Sequence, residues 1–92
     1  MDKKYEIVVI FPPETTEKSA EESVAEWLGK VKATDVKTES WGKKPLSYQI
    51  KKQTEGLYSL TSFTASPKAV VDLKSKLSLN ETILRYLLVN KD

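Results

Sequence analysis

The segment ESWGKKPLSYQIKK, residues 39–52, has the alternation of a β-strand together with two residues that interrupt a strand. Its apolar positions, which alternate with polar ones, are Leu46, Tyr48 and Ile50. Such alternation predicts a strand with one apolar and one polar face. Gly42 and Pro45 weaken the hydrogen-bonded ladder, because proline has no backbone N–H to donate. We therefore expect this segment at a sheet edge or beside a bulge.

The same segment concentrates positive charge. It holds four lysines, Lys43, Lys44, Lys51 and Lys52, opposed only by Glu39. Acidic residues instead predominate over residues 14–32. A basic, partly apolar strand suits contact with RNA or with another protein, because lysines neutralise phosphates and aromatic groups bury against a partner. A lysine-rich strand that only guards a sheet edge against unwanted pairing fits the same pattern.

Towards the N-terminus, residues 4–11 are rich in Tyr, Ile, Val and Phe and are apolar on both faces, which predicts a central strand. Pro12 and Pro13 end it. Residues 16–32 carry an apolar stripe at helical spacing, so they predict an amphipathic helix packed on a sheet. The stripe consists of Ala20, Val24, Trp27, Leu28 and Val31. Trp27 is expected in the core, where an aromatic at helical spacing is usually found.

Towards the C-terminus, a turn is predicted at Gln53 to Gly56, followed by a strand over residues 57–65. Ser66 and Pro67 supply an N-cap and a first helical residue. A second amphipathic helix follows, with its apolar positions at Val70, Leu73 and Leu77. A final strand is predicted over residues 82–90, so the element order is βαββαβ.

Two βαβ units joined by a hairpin give an α+β, ferredoxin-like fold, with a four-stranded antiparallel sheet and both helices on one face. We expect residues 1–92 to form one such domain. The first and third strands are then central, and the second and fourth are edges. The other face of the sheet is open, and the pattern leaves undecided whether Tyr5 and its alternate neighbours point to the open face or to the helices.

Composition limits the chemistry available to the chain. The sequence has no cysteine and no histidine, which excludes disulfides, thiolate metal sites and the commonest metal ligand and general base. We expect no enzymatic activity, no metal, no cofactor and no small-molecule substrate. The longest apolar run, Ile7 to Phe11, is too short to cross a bilayer, and no signal-peptide core is evident, so a cytoplasmic location is expected.

Three separated segments carry a family resemblance. Residues 39–44, followed by the alternating apolar positions and Lys52, resemble the signature of the sixth small-subunit ribosomal protein of bacteria. The starting YEIV at residues 5–8 and the LRYLLV at residues 84–89 are similar to that family's first and last strands. The resemblance implies a ferredoxin-like, non-enzymatic constituent of the small-subunit platform. It also implies cooperative binding of small-subunit ribosomal RNA together with the eighteenth small-subunit protein, as a heterodimer.

The resemblance and the charge pattern together select candidate site residues. The expected RNA contacts are Lys3, Lys4, Lys43, Lys44, Lys51, Lys52 and Arg85. The arginine can bind a phosphate with both ends of its guanidinium fork, or pair with a surface carboxylate. The expected protein-interface residues are Trp41, Leu46, Tyr48, Tyr58 and Tyr86. A place in the domain core is the competing interpretation, above all for Leu46 and Tyr48. Pro45 and Gln49 depart from the family pattern.

Two other functions share parts of this pattern. An acylphosphatase-like enzyme shares the strand order but needs an arginine and a phosphate-binding loop after the first strand, where this chain has Pro12, Pro13 and Glu14. A ferredoxin-like module that senses a small ligand or another protein and dimerises through its sheet edge fits the periodicity as well. That alternative predicts a dimer in solution and no salt-sensitive RNA binding.

Overall fold

The computed structural model describes residues 1–91, and its elements follow the predicted order. They are β1 (Lys3–Phe11), α1 (Glu17–Lys30), β2 (Thr34–Ile50), β3 (Gln53–Ala65), α2 (Pro67–Ser78) and β4 (Arg85–Asn90). The four strands form one antiparallel sheet in the order β2-β3-β1-β4. The ferredoxin-like fold and the edge positions of β2 and β4 are therefore confirmed. No helix within residues 1–91 is long and apolar enough to cross a membrane.

The core lies between one face of the sheet and the two helices. Alternate residues of β1 are buried, namely Tyr5, Ile7, Val9 and Phe11. They share a cluster with the apolar stripes of α1 and α2, whose buried members are Ala20, Val24, Leu28, Val70, Leu73 and Leu77. Tyr5 and its alternate neighbours on β1 therefore face the helices, which the sequence pattern left undecided. Trp27 stacks on Phe11 with ring centroids 6.1 Å apart, so its predicted place against the core is confirmed.

Both helices begin at side-chain caps. Thr16 Oγ1 accepts a hydrogen bond from the Ser19 amide (3.1 Å), and Ser66 Oγ accepts one from the Ala69 amide (3.1 Å). The second cap, with Pro67 at the first helical position, is the one that the sequence predicts. Each hydroxyl satisfies an amide that the first turn of the helix leaves without a backbone partner.

The predicted hairpin turn at residues 53–56 was wrong. The chain turns at Lys51 and Lys52, whose φ angles of 48° and 66° are positive, as the two central residues of a type I′ turn require. Gly56 instead lies inside β3, opposite Lys44. A Cβ at Gly56 would stand 2.5 Å from Ile10 Cγ2, so the glycine is needed because β1 approaches closely there. The strand β3 consequently begins at Gln53 instead of residue 57.

The last strand begins at Arg85, three residues later than the sequence suggests. Asn80 first makes a local turn, in which its Oδ1 accepts from the Thr82 amide (2.8 Å). Ile83 is buried in the core, and the Leu84 amide donates to the Ile10 carbonyl (2.7 Å). This bond joins the incoming chain to β1 just before the regular ladder starts.

Candidate protein and RNA interface on the open sheet face

The sheet face away from the helices is largely apolar at one end. The β1 residues between the buried ones, Val8 and Ile10, point to this open face. Their cross-strand partners extend the same surface. Val8 is opposite Leu60 on β3 and Leu87 on β4, and Ile10 is opposite Tyr58 on β3 and Arg85 on β4. Leu87 is 62% exposed, so this apolar surface is open to contact from outside the domain.

A bulge in β2 presents Trp41 to the same surface. Ser40 pairs with Ser59 and Gly42 pairs with Tyr58, which leaves Trp41 as the extra residue. Gly42 has a φ of 75°, a left-handed conformation that glycine adopts without steric cost. The Trp41 ring stacks on Tyr58 with centroids 6.5 Å apart and remains 39% exposed. The glycine and the tryptophan of the 39–52 segment therefore act together, because the bulge aims the ring at the open face.

The far end of the β2–β3 hairpin arches over the open face. Strand pairing is irregular between Pro45 and Ile50, which lets this part of β2 leave the sheet plane. Although β3 and β1 separate β2 from β4 in the sheet, the Arg85 guanidinium on β4 lies 5.8 Å from the Tyr48 ring centroid. Lys51 Nζ also donates to the Ile83 carbonyl (3.2 Å). These contacts connect the hairpin tip to the opposite side of the sheet.

A pocket of about 470 Å³ opens between the arched hairpin and the sheet. Its walls include Val8, Ile10, Trp41, Leu46, Tyr48, Ile50, Tyr58, Arg85 and Leu87. The volume and the mainly apolar wall match sites that receive a partner's side chain or a small ligand. Leu46 and Tyr48 are outside the buried core, and Tyr48 is 56% exposed. The core interpretation of these two residues does not hold.

The basic residues divide among several places. Lys44, opposite Gly56, is on the open face, and its Nζ lies 5.3 Å from the Trp41 ring centroid. Lys43 is opposite the buried Leu57 and therefore projects from the other side of the strand. Lys52 stands at the hairpin tip, beside the anchored Lys51. The adjacent lysines of β2 thus belong to opposite faces.

The other end of the open face is polar. Lys4 lies there opposite Thr64, whereas Lys3 is opposite the buried Ala65 on the helix side. Lys37 and Lys91 line the same shallow depression as Lys4, and they were not among the expected contacts. Lys91 Nζ is 3.4 Å from the Glu6 carboxylate. Because Lys4, Lys37 and Lys91 are far apart in the sequence, only the pairing of the strands brings them together.

The comparisons with known proteins decide the family. A profile of the family described as Ribosomal protein S6 matches residues 4–90. The small ribosomal subunit protein bS6 of Paenarthrobacter aurescens is 38% identical over 93 residues, covering 98% of this chain and 92% of the relative. This chain belongs to the ribosomal protein S6 family. The bS6 of Fusobacterium nucleatum is also 38% identical, with 98% of this chain and 99% of that relative covered.

The S6 fold is recognised in a solved structure as well. The crystal structure of 30S ribosomal protein S6 from Thermotoga maritima superposes with a TM-score of 0.77 at 23% identity, covering 99% of this chain and 89% of that one. Family membership makes the chain a structural constituent of the small ribosomal subunit and a non-enzyme. The family resemblance carried by the 39–52 segment and by the first and last strands is confirmed.

Within this S6 domain the predicted interface residues are mostly close together. Trp41, Leu46, Tyr48 and Tyr58 all line the pocket. Tyr86 borders it too, but it is opposite Val9 and packs against the core from the helix side. The open-face aliphatic residues Val8, Ile10 and Leu87 were missed. Their alternation along β1 and β4 was visible in the sequence, but it did not reveal which side of the sheet they occupied.

Proposed function

We propose that the open-face pocket docks the eighteenth small-subunit ribosomal protein and that the basic residues beside it contact platform ribosomal RNA. The observation that carries the proposal is the pocket itself, which the domain's own helices leave uncovered because they pack on the opposite face. Protein interfaces are enriched in tryptophan and tyrosine at their centres, where these rings bury a large area. Trp41, Tyr48 and Tyr58 supply such rings within a single pocket.

The charges support RNA contact at the pocket rim. Arg85 lines the pocket, Lys44 lies over the ring of the pocket residue Trp41, and Lys52 is in the hairpin turn. A partner seated in the pocket would place its own RNA contacts next to these. Because each protein alone makes few phosphate contacts, docking them together joins two weak sites at a high effective concentration. Cooperative RNA binding is the expected result.

The experiment is a mobility-shift titration of platform RNA with this chain, with the eighteenth protein, and with both. We expect a strong shift only with both proteins, because the joint surface forms only when the pocket is occupied. Equal affinity of this chain with and without its partner would contradict the cooperative mechanism. A sheet-edge dimer without salt-sensitive RNA binding would favour the ligand-sensing alternative, and sedimentation of the free chain tests for that dimer.

A further inference from the structure

A second basic surface lies on the helix side, between α2 and the segment 30–32 at the C-terminal end of α1. This groove has a volume of about 600 Å³. The lysines that line it are Lys30, Lys32, Lys68 and Lys76, and within residues 1–91 Asp72 is the single acidic residue in its lining. Ser66 and Ser75 add hydroxyl groups. The groove is therefore strongly positive, whereas the open-face pocket is mainly apolar.

Most of the groove's positive charge is not neutralised within the domain. Lys30 forms an ion pair with Glu26 one helical turn away (3.3 Å). Within residues 1–91, Lys32, Lys68 and Lys76 form no ion pair, even though Asp72 is one turn from both of the α2 lysines. Their ammonium groups are consequently available to an external anion.

One of these lysines occupies a backbone position that normally favours glycine. The Lys32 amide bonds to the Gly29 carbonyl (3.1 Å), and the Ala33 amide bonds to the Leu28 carbonyl (3.0 Å). This pair of bonds is the Schellman arrangement that ends a helix, and its left-handed residue is usually glycine. Lys32 adopts a φ of 60° there, at a steric cost that glycine avoids. A strained lysine that lines a basic groove points to a use for its charge.

We infer that this groove binds the phosphate backbone of an RNA strand, as a second RNA contact on the side of the domain opposite the protein-docking pocket. The inference rests on the proposed binding of ribosomal RNA and extends it to residues outside the expected contacts. Lysine and serine side chains are common phosphate ligands, and lysines give affinity without reading sequence. Of the groove's lining residues within 1–91, only Val31, Ala69 and Leu79 are apolar and none lies in a strand, so the groove offers no free strand edge to a peptide.

The test compares Lys68→Gln/Lys76→Gln with the matched control Lys18→Gln/Lys74→Gln, which removes two helix lysines that do not line the groove. Each variant is titrated into platform RNA with the eighteenth protein at several salt concentrations. We expect the groove variant to bind more weakly than the parent and to lower the salt slope by about 0.7 to 0.9 per lost phosphate contact. The parent's advantage over the variant should therefore shrink by roughly threefold per lost contact when salt is raised from about 50 to about 200 mM. The control should behave like the parent. Groove and control variants that bind equally would overturn the inference.

The variant Lys32→Gly distinguishes a loss of RNA binding from a loss of stability. The substitution should raise the thermal midpoint of the free protein while weakening RNA binding, because it removes both the backbone strain and the charge. A raised midpoint with parental affinity and salt slope would mean that Lys32 has no part in binding and would count against the groove.

The outcomes also separate this inference from the proposed function. If the parent does not bind platform RNA with its partner, both fail. If Lys44→Gln weakens binding and the groove variant does not, only the groove inference fails. If the free protein prefers a labelled poly-glutamate peptide to an RNA oligonucleotide of equal charge, and the groove variant loses this preference while the control variant keeps it, the groove binds an acidic polypeptide and the RNA assignment is overturned.

Discussion

Replacing Gly56 by alanine tests why β3 has a glycine at this position. The added Cβ would lie 2.5 Å from Ile10 Cγ2 and 3.0 Å from the Phe11 carbonyl oxygen, well inside van der Waals contact. Overpacking of this kind typically costs roughly 1 to 3 kcal/mol, so we expect Gly56→Ala to lower the free energy of unfolding by about that amount. For a domain of this size, each kcal/mol lowers the thermal midpoint by roughly 4 to 8 °C.

A double-mutant cycle with Ile10→Ala identifies the cause of this loss. Removing Cγ2 opens the space that the new methyl group needs, so the two substitutions together should cost at least about 1 kcal/mol less than the sum of their separate effects. The assay is urea denaturation of all four proteins. If Gly56 were instead needed for turn conformation, Ile10→Ala would give no rescue, and additive losses would refute the packing explanation.

Three further predictions concern stability and binding. Ser59 Oγ is buried with no hydrogen-bond partner in the described chain, so Ser59→Ala should raise the free energy of unfolding by about 1 kcal/mol, measured by urea denaturation; a clear loss would show that the hydroxyl is bonded. Lys32→Gly should stabilise by up to about 1 kcal/mol, because it relieves a left-handed lysine, and calorimetry of the free protein checks this. Lys43→Ala/Lys44→Ala should weaken cooperative RNA binding and reduce its salt dependence, and Lys44→Ala alone should account for most of the loss, because Lys44 is on the open face beside Trp41; parental binding at every salt concentration would exclude both lysines as contacts.

The sequence predicted the fold well because its periodicities are strong. The apolar stripe of each helix and the Ser66 cap are local signals, and both elements lie where they were expected. The hairpin turn was misplaced because glycine is the usual turn residue, whereas lysine seldom has a positive φ. The reason that Gly56 lies within a strand is its contact with Ile10, and that contact is not local in the sequence.

The candidate site was only partly predictable, because its composition depends on strand register. Trp41 and Tyr58 were found as aromatic residues, and the structure places their rings together. Val8 and Leu87 were missed because a strand that is apolar on both faces does not reveal which face is covered by helices. The Arg85 contact with Tyr48 depends on the arch of the hairpin across the sheet, which alternation along one strand cannot indicate.

Direct binding of the eighteenth small-subunit protein in the absence of RNA tests the docking pocket most directly. Leu87→Asp places a charge on the open face, and Leu79→Asp is the matched control, because Leu79 is 81% exposed and lines the helix-side groove, away from the open face. By isothermal titration calorimetry, Leu87→Asp should raise the Kd by roughly 10-fold or more, since burying an unpaired carboxylate costs well over 1.4 kcal/mol, and Leu79→Asp should leave the Kd unchanged. Equal affinity of both variants and the parent would contradict docking at the open face.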